Sequence, residues 1–152
     1  MKLIFLLIFF NLFFIQNSHS LTIANCGPSK GISYFTYSGI TSKEDSGFEN
    51  DGISEGSVTL SKNSESYDIL YKDATGTIAS SRQEGAEIYP IILNPLSITL
   101  ASIYPGEVIE IYSFWIESDG SAKYSLQASR HTNPLINKSS LFVGDCSFLN
   151  IQ

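Results

Sequence analysis

The chain has 152 residues with 9 basic against 15 acidic side chains, a formal net charge of −6 at pH 7. That balance excludes a nucleic-acid role, because such proteins neutralise phosphates with clustered Lys and Arg and too few are present to build a patch. One domain accounts for the length, since ~100 to 200 residues per domain is usual and roughly 65 to 70% of the unfolded surface can be buried at this size.

Residues 1–20 read as a secretory leader. Lys2 precedes the apolar run Leu3 to Ile15, broken only by Asn11, and a polar stretch then ends in Ser18, His19 and Ser20. Small residues thus occupy the −3 and −1 positions of a cleavage site. A membrane anchor is the competing reading, but a run of ~13 residues falls short of the ~20 needed to span hydrocarbon, and no basic stop-transfer cluster follows. The expected product is a secreted or periplasmic domain, residues 21–152, with no membrane span after cleavage. Five of the ten Phe lie in the leader, so the mean hydropathy of +0.06 overstates how apolar that domain is. Loss of Lys2 takes its formal charge one unit lower, to −7.

An exported chain with two cysteines, Cys26 and Cys146, implies a disulfide in an oxidising compartment. Closing the roughly 120 residues between them stabilises by about 4 to 5 kcal/mol on the chain-entropy model. The alternative is a lipoprotein with lipid on Cys26. Asn25 stands before it where a small residue is wanted, and Cys146 would be left unpaired.

Along residues 21–152 the apolar residues recur with period two, in short segments separated by Gly, Pro, Asn and Asp. Strands are expected at Ile32 to Tyr37, Ser57 to Ser61, Tyr67 to Lys72, Thr77 to Ser81, Glu87 to Leu93, Ser97 to Ile103, Val108 to Glu117, Ala122 to Ala128 and Ser140 to Val143. No amphipathic helical stripe is present. A hairpin through Asp73, Ala74, Thr75 and Gly76 puts Tyr67, Ile69 and Tyr71 on one face, and Tyr104, Pro105 and Gly106 fit a type II turn. Asp119-Gly120 fits a two-residue type I′ turn. With Ser118 opposite Ser121, Trp115, Ser113 and Ile111 then face the core, while Tyr112 and Phe114 face away beside Gln127 and Ser125. The expected fold is an all-β, single-domain antiparallel β-sandwich, with a small β-barrel as the alternative closure.

Few residues offer reactive chemistry. A Ser-His-Asp arrangement needs an imidazole base, and His131, the only histidine after the leader, lies in a polar loop with no orienting carboxylate adjacent. The expected bridge removes both thiols as nucleophiles, and one His with two distant Cys falls short of a zinc site. No phosphate-cradling or dinucleotide motif occurs, so no cofactor is expected. Glu107, Glu110 and Glu117 share one strand and raise the carboxylate chemistry of glycoside hydrolysis, although solvated strand ends or edges account for them better, because paired carboxylates occur on most acidic surfaces without chemistry. Glu44, Asp45, Glu49, Asp51 and Glu55 are dense enough in oxygen to be a weak calcium candidate, but their spacing does not fit an EF-hand loop. Asn137-Lys138-Ser139 is a glycosylation acceptor in a host that has the machinery.

Four segments carry a resemblance: DGISEGSVTL (51–60), YDILYKDATGTIASSRQEG (67–85), YPGEVIEIYSFWIESDGSAKY (104–124) and SSLFVGDC (139–146). With a Cys near the start of the domain, they resemble a family of small exported bacterial proteins of unknown function, over roughly Cys26 to Cys146. The resemblance implies export, a bridge and one domain, and brings no activity or ligand with it. Arg82, in its Ser-Ser-Arg-Gln-Glu-Gly run, is a candidate carboxylate clamp or a turn residue in a surface ion pair.

The resulting expectation is a non-catalytic binding or interaction module with a protein or glycan partner. The candidate face is Tyr112, Phe114, Gln127 and Arg82, since flat aromatics with polar neighbours suit sugars or peptides; a second sheet covering those rings is the other possibility. A secreted inhibitor or effector, and a carboxylate-dependent hydrolase acting on glycans, are the alternatives. If the leader is read correctly, protein recovered from the medium or periplasm begins at Leu21 and gains the mass of two hydrogens on reduction. An intact residue 1, or two free thiols before reduction, refutes it.

Overall fold

The computed structural model describes residues 20–64, 66–72, 75–132 and 135–151. The expected leader, apart from Ser20, and Asp73 and Ala74 of the second hairpin lie outside the described residues. Ten strands follow in order: β1 (Leu21–Phe35), β2 (Gly47–Ile53), β3 (Ser57–Lys62), β4 (Tyr67–Lys72), β5 (Ile78–Ser80), β6 (Glu87–Asn94), β7 (Ser97–Tyr104), β8 (Val108–Ile116), β9 (Ala122–Arg130) and β10 (Lys138–Leu149). Among the described residues there is no helix, hence none long and apolar enough to cross a membrane.

The all-β expectation holds. Every strand belongs to one antiparallel sheet, in the order β5, β4, β3, β1, β10, β9, β8, β7, β6, with β2 also paired to β1. The sheet curls into a half-barrel until β4 touches β6. It therefore has the opposed inner faces of a sandwich and the continuous hydrogen bonding of a barrel. Leu60, Ile69, Leu100, Phe114 and Tyr124, from five different strands, meet in one core with almost no exposure.

β1 is longer than the sequence pattern indicates because it changes neighbour midway. Leu21–Cys26 pair with β3 and Ser29–Phe35 with β2, while β10 runs along the opposite edge. Gly27 and Pro28 sit at the change, where the register with β10 slips. A proline with no N–H fits a bulge of this kind. Read as a break, Gly27-Pro28 hides the first half of the strand. β2 was hidden by its charge: GFENDGI reads as an acidic loop yet forms an edge strand, and acidic side chains are one way a natural edge discourages further pairing.

The bridge is present. Cys26 and Cys146 are directly opposed on β1 and β10, joining strands at the middle of the sheet order. Beside it, Tyr124 from β9 reaches across Gly144 to donate its hydroxyl to the Gly27 carbonyl at 3.2 Å. A Cβ on Gly144 would stand 2.5 Å from that ring.

The Tyr104–Glu107 turn is as expected, with the Glu107 N–H bonded to the Tyr104 carbonyl at 3.0 Å and Gly106 at φ +78°. Gly76 also takes a positive φ, of 87°. The Asp119-Gly120 turn differs. Glu117 and Ser121 close the loop, with the Glu117 N–H donating to the Ser121 carbonyl at 2.8 Å, and Gly120 alone has a positive φ. Three residues therefore form the loop, which is the type I turn followed by a left-handed glycine rather than type I′. The register slips by one residue, and every β8 side chain changes face while Tyr124 and Leu126 of β9 stay in the core. Phe114 pairs with Tyr124 and Tyr112 with Leu126. Tyr112 and Phe114 are 3% and 0% exposed; the Tyr112 ring stacks on Phe114 at 6.5 Å and the Phe114 ring on Tyr124 at 6.1 Å.

Arg82 ties the ends of the curl together. Its Nε donates to the Tyr67 carbonyl of β4 at 2.5 Å and its Nη2 to the Ile88 carbonyl of β6 at 3.3 Å. Asp68 braces the turn from below, accepting from Ser80 Oγ at 2.6 Å and the Arg82 N–H at 3.3 Å. Arg82→Met removes both carbonyl bonds and should cost about 1 to 3 kcal/mol in urea denaturation. Arg82→Lys, a point charge without the fork, should recover less than half of it. Unchanged stability in Arg82→Met would show that the clip contributes nothing to closure.

Candidate functional site

The corrected register turns Val108, Glu110 and Tyr112 of β8 inward, and Leu126 and Arg130 of β9 alongside them. They form one wall of a cavity of about 510 Å³ at a mouth of the half-barrel. The type II turn brings Tyr104 and Glu107, the end of β4 brings Tyr71 and Lys72, the turn after β5 brings Glu84, and the stretch from β2 into β3 brings Glu55 and Val58. Val58, Val108, Leu126 and the Tyr112 ring are buried and make an apolar floor. Tyr71, Tyr104 and Glu110 are half-buried above it, and Glu55, Glu84, Glu107, Lys72 and Arg130 stand exposed at the rim.

Two phenol–carboxylate pairs organise the polar part. The Tyr112 hydroxyl donates to Glu110 Oε2 at 2.9 Å, and the Tyr71 hydroxyl donates to Glu84. Burial pushes the Glu110 carboxyl above the ordinary value of 4.5 and the Glu84 charge pushes the same way, against the Tyr112 hydrogen bond and Arg130. Burial likewise raises the phenols of Tyr71 and Tyr112, reinforced by Glu84 and Glu110 respectively. Tyr104 is raised by burial too, with the hydroxyls of Ser81 and Ser102 pulling it back. The ion pairs among the described residues are Lys123–Asp145 and Lys138–Asp51, each at 2.6 Å, so Glu84 and Glu110 face the cavity without one. The arrangement can accept hydrogen bonds and cationic charge, and it offers aromatic surface.

The expected binding face is not assembled. Tyr112 and Phe114 are core residues, Gln127 is exposed on the opposite side of the sheet, and the Arg82 guanidinium is occupied by two carbonyls and clamps no carboxylate. The one-residue slip at Gly120 is the physical reason. It also brings Glu110 inside, whereas Glu117 stays outside, accepting from Trp115 Nε1 at 3.0 Å. The five residues of the calcium candidate do not converge, and no group of three metal-ligating side chains occurs among the described residues. Asp51 is instead held by Lys138 and by Ser33 Oγ, each at 2.6 Å. Burial raises its carboxyl, but hydrogen bonds from Lys138, Ser33 and Gly52 outweigh that and leave it lowered from 3.8. His131 is exposed, with Nε2 3.1 Å from Ser139 Oγ, and Asn137 Nδ2 donates to Ser38 Oγ at 2.9 Å.

Tyr71, Glu84 and Tyr104 were not singled out from the sequence. A signal was there, since pairing Phe114 with Tyr124 and Tyr112 with Leu126 makes a more apolar inner face than Trp115–Tyr124 and Ser113–Leu126. That choice of register predicts Glu110 inside. Comparison with protein-family models, with curated proteins and with solved structures finds no match for this chain.

Because the Glu110 carboxyl is raised in the folded chain, the stability tied to its neutral form is complete below 4.5 and is lost as pH rises through the raised value. Glu110→Gln stays neutral and keeps an acceptor for Tyr112. It should melt higher than wild type at neutral pH and match it near pH 4, by thermal denaturation in matched buffers. A variant that melts no higher at neutral pH would mean that the carboxylate carries no burial penalty.

Proposed function

We propose that the protein is a small, exported, non-catalytic binding module that takes a small organic ligand into the mouth of its half-barrel. One observation carries the reading: the 510 Å³ cavity joins an apolar floor to half-buried phenols and a carboxylate that has no ion pair. Ligand pockets are usually ~300 to 1,000 Å³, mostly apolar, with a few convergent polar groups fixing orientation. Preferred positions for them include the mouths of β-barrels. Leaving a carboxyl in such a place costs stability, and sites where stability is given up in this way are commonly functional.

Export belongs to the same proposal. The Leu3 to Ile15 run ahead of Ser20 supports it, and the Cys26–Cys146 bridge is compatible with an oxidising extracellular environment. Kinship with small exported bacterial proteins is part of it, resting on the four resembling segments.

A second reading, as a secreted inhibitor or effector that docks a protein partner, is favoured by β6. This strand ends the sheet order and exposes Tyr89, Ile91, Ile92 and Leu93 by half or more of their surface, apart from Ile92 at 49%. An exposed apolar edge is a template for strand addition. Shift mapping by ¹H–¹⁵N NMR with a set of small-molecule fragments separates the two. The ligand reading expects perturbations gathered at Tyr71, Tyr104, Glu110 and Arg130. Perturbations confined to Tyr89–Leu93, or none at the mouth at millimolar fragment, would refute it.

A further inference from the structure

We infer that the ligand of the mouth cavity is a protonated primary amine on an apolar or aryl body, its ammonium held between Glu84 and Glu110 and its body against Val58, Val108, Leu126 and Tyr104. The inference rests on the mouth being the binding site and goes on to name the chemistry it takes.

The charge of the lining selects the class. Four carboxylates, Glu55, Glu84, Glu107 and Glu110, meet only two cations, Lys72 and Arg130. Neither cation forms an ion pair with Glu84 or Glu110. The Glu84 charge repels that of Glu110 while Arg130 attracts it without forming an ion pair, and each carboxylate accepts from a phenol, Tyr71 or Tyr112. An anionic ligand would add to the repulsion, and a neutral one would leave it standing. A cation removes it, and a half-buried carboxylate gains most from a partner that supplies both charge and N–H donors. A primary ammonium carries three donors, enough to reach both carboxylates at once. The phenol rings add a favourable face for positive charge. Below the ammonium, the floor is apolar and closed, which suits a hydrocarbon or aryl body and gives a hydroxyl-rich sugar no partners.

Titratable groups on every neighbouring element bear on the site: Tyr112 on β8, Tyr104 on β7, Arg130 on β9, Tyr71 on β4 and Glu84 on the turn after β5. Lys72 on β4, Glu55 before β3 and Glu107 on the turn before β8 complete the lining, so Lys72 and Arg130 are its two cations against four carboxylates. Binding should therefore weaken as pH falls and Glu110 takes up its proton, and weaken with added salt.

Calorimetry and NMR on the disulfide-intact protein at neutral pH test the inference with three probes of one shape: phenethylamine, 2-phenylethanol and phenylacetate. Phenethylamine should shift Tyr71, Tyr104 and Glu110, and bind at least about tenfold more tightly than 2-phenylethanol, a difference of about 1.4 kcal/mol. Phenylacetate should be the weakest. Glu110→Gln should lose about tenfold for the amine and leave the alcohol unchanged; Glu84→Gln, at an exposed position, serves if the first variant fails to fold. If the alcohol binds the mouth as tightly as the amine, the ammonium is wrong and the mouth site stands. If none of the three probes shifts the mouth at millimolar concentration, the amine is refuted, and the fragment mapping decides separately whether the mouth binds anything else.

Discussion

Gly120, at φ +84°, closes the β8–β9 hairpin, and the inward or outward direction of each side chain on those two strands is set there. With three residues in the loop, Tyr112 and Phe114 pack against Leu126 and Tyr124. With two, they would stand in solvent and Trp115 would take the core. The burial of two large aromatics is worth several kcal/mol, since a fully buried side chain of this size contributes about 1.5 to 3 kcal/mol. Local turn preference amounts to less than that. Packing decides the register, and Gly120 is the residue that lets the chain comply, because a left-handed conformation at that position costs a glycine nothing. Glu110 follows from the same choice. It cannot leave the interior without taking Tyr112 and Phe114 with it.

Closure of the curl is handled by a few side chains placed where the sheet is most vulnerable. β1 serves as a shared spine, with β3 and β2 on one edge and β10 on the other, and its bend at Gly27-Pro28 is where the two partners change over. The Cys26–Cys146 bridge and the Tyr124 hydrogen bond to Gly27 fix that bend. At the far ends of the order, where hydrogen bonding between strands stops, Arg82 supplies two bonds from one guanidinium. Its planar, forked donors suit this better than an ammonium would, because two carbonyls on different strands need fixed directions.

The parts of the fold legible in the sequence were those written in local chemistry. Period-two patterning located β3, β4 and β6 to β9 to within a residue or two, and Tyr104-Pro105-Gly106 named its turn type. Two cysteines behind an expected secretory leader named their bridge. What stayed illegible depends on contacts distant in sequence. The first half of β1 carries Gly27-Pro28, which reads as punctuation until β3 and β2 are known to divide the strand between them. β2 is acidic because it is an edge. The Asp119-Gly120 pair is compatible with two loop lengths, and only the packing of Tyr124 and Leu126 distinguishes them. The cavity gathers Tyr71, Glu84, Tyr104 and Glu110 from four separate segments, so no motif spells it.

Glu110 gives the cavity its meaning in energetic terms. Its neighbours across the sheet on the inner face are Ala128 of β9 and Ser102 of β7, small residues that leave it room and offer little to satisfy a charge. A leucine there would extend the floor formed by Val108 and Leu126 and would stabilise the fold. Natural chains sit close to the threshold of stability they need, and a feature that lowers it persists where something else depends on it. The phenols around Glu110 point to the same conclusion. Tyr112 spends its only hydroxyl proton on one oxygen of that carboxylate, and the carboxylate keeps a second oxygen and further acceptor capacity in a residue that lines the cavity. A half-buried carboxylate with acceptor capacity left over gains free energy from any further donor that reaches it, and this gain is what the proposed ligand would draw on.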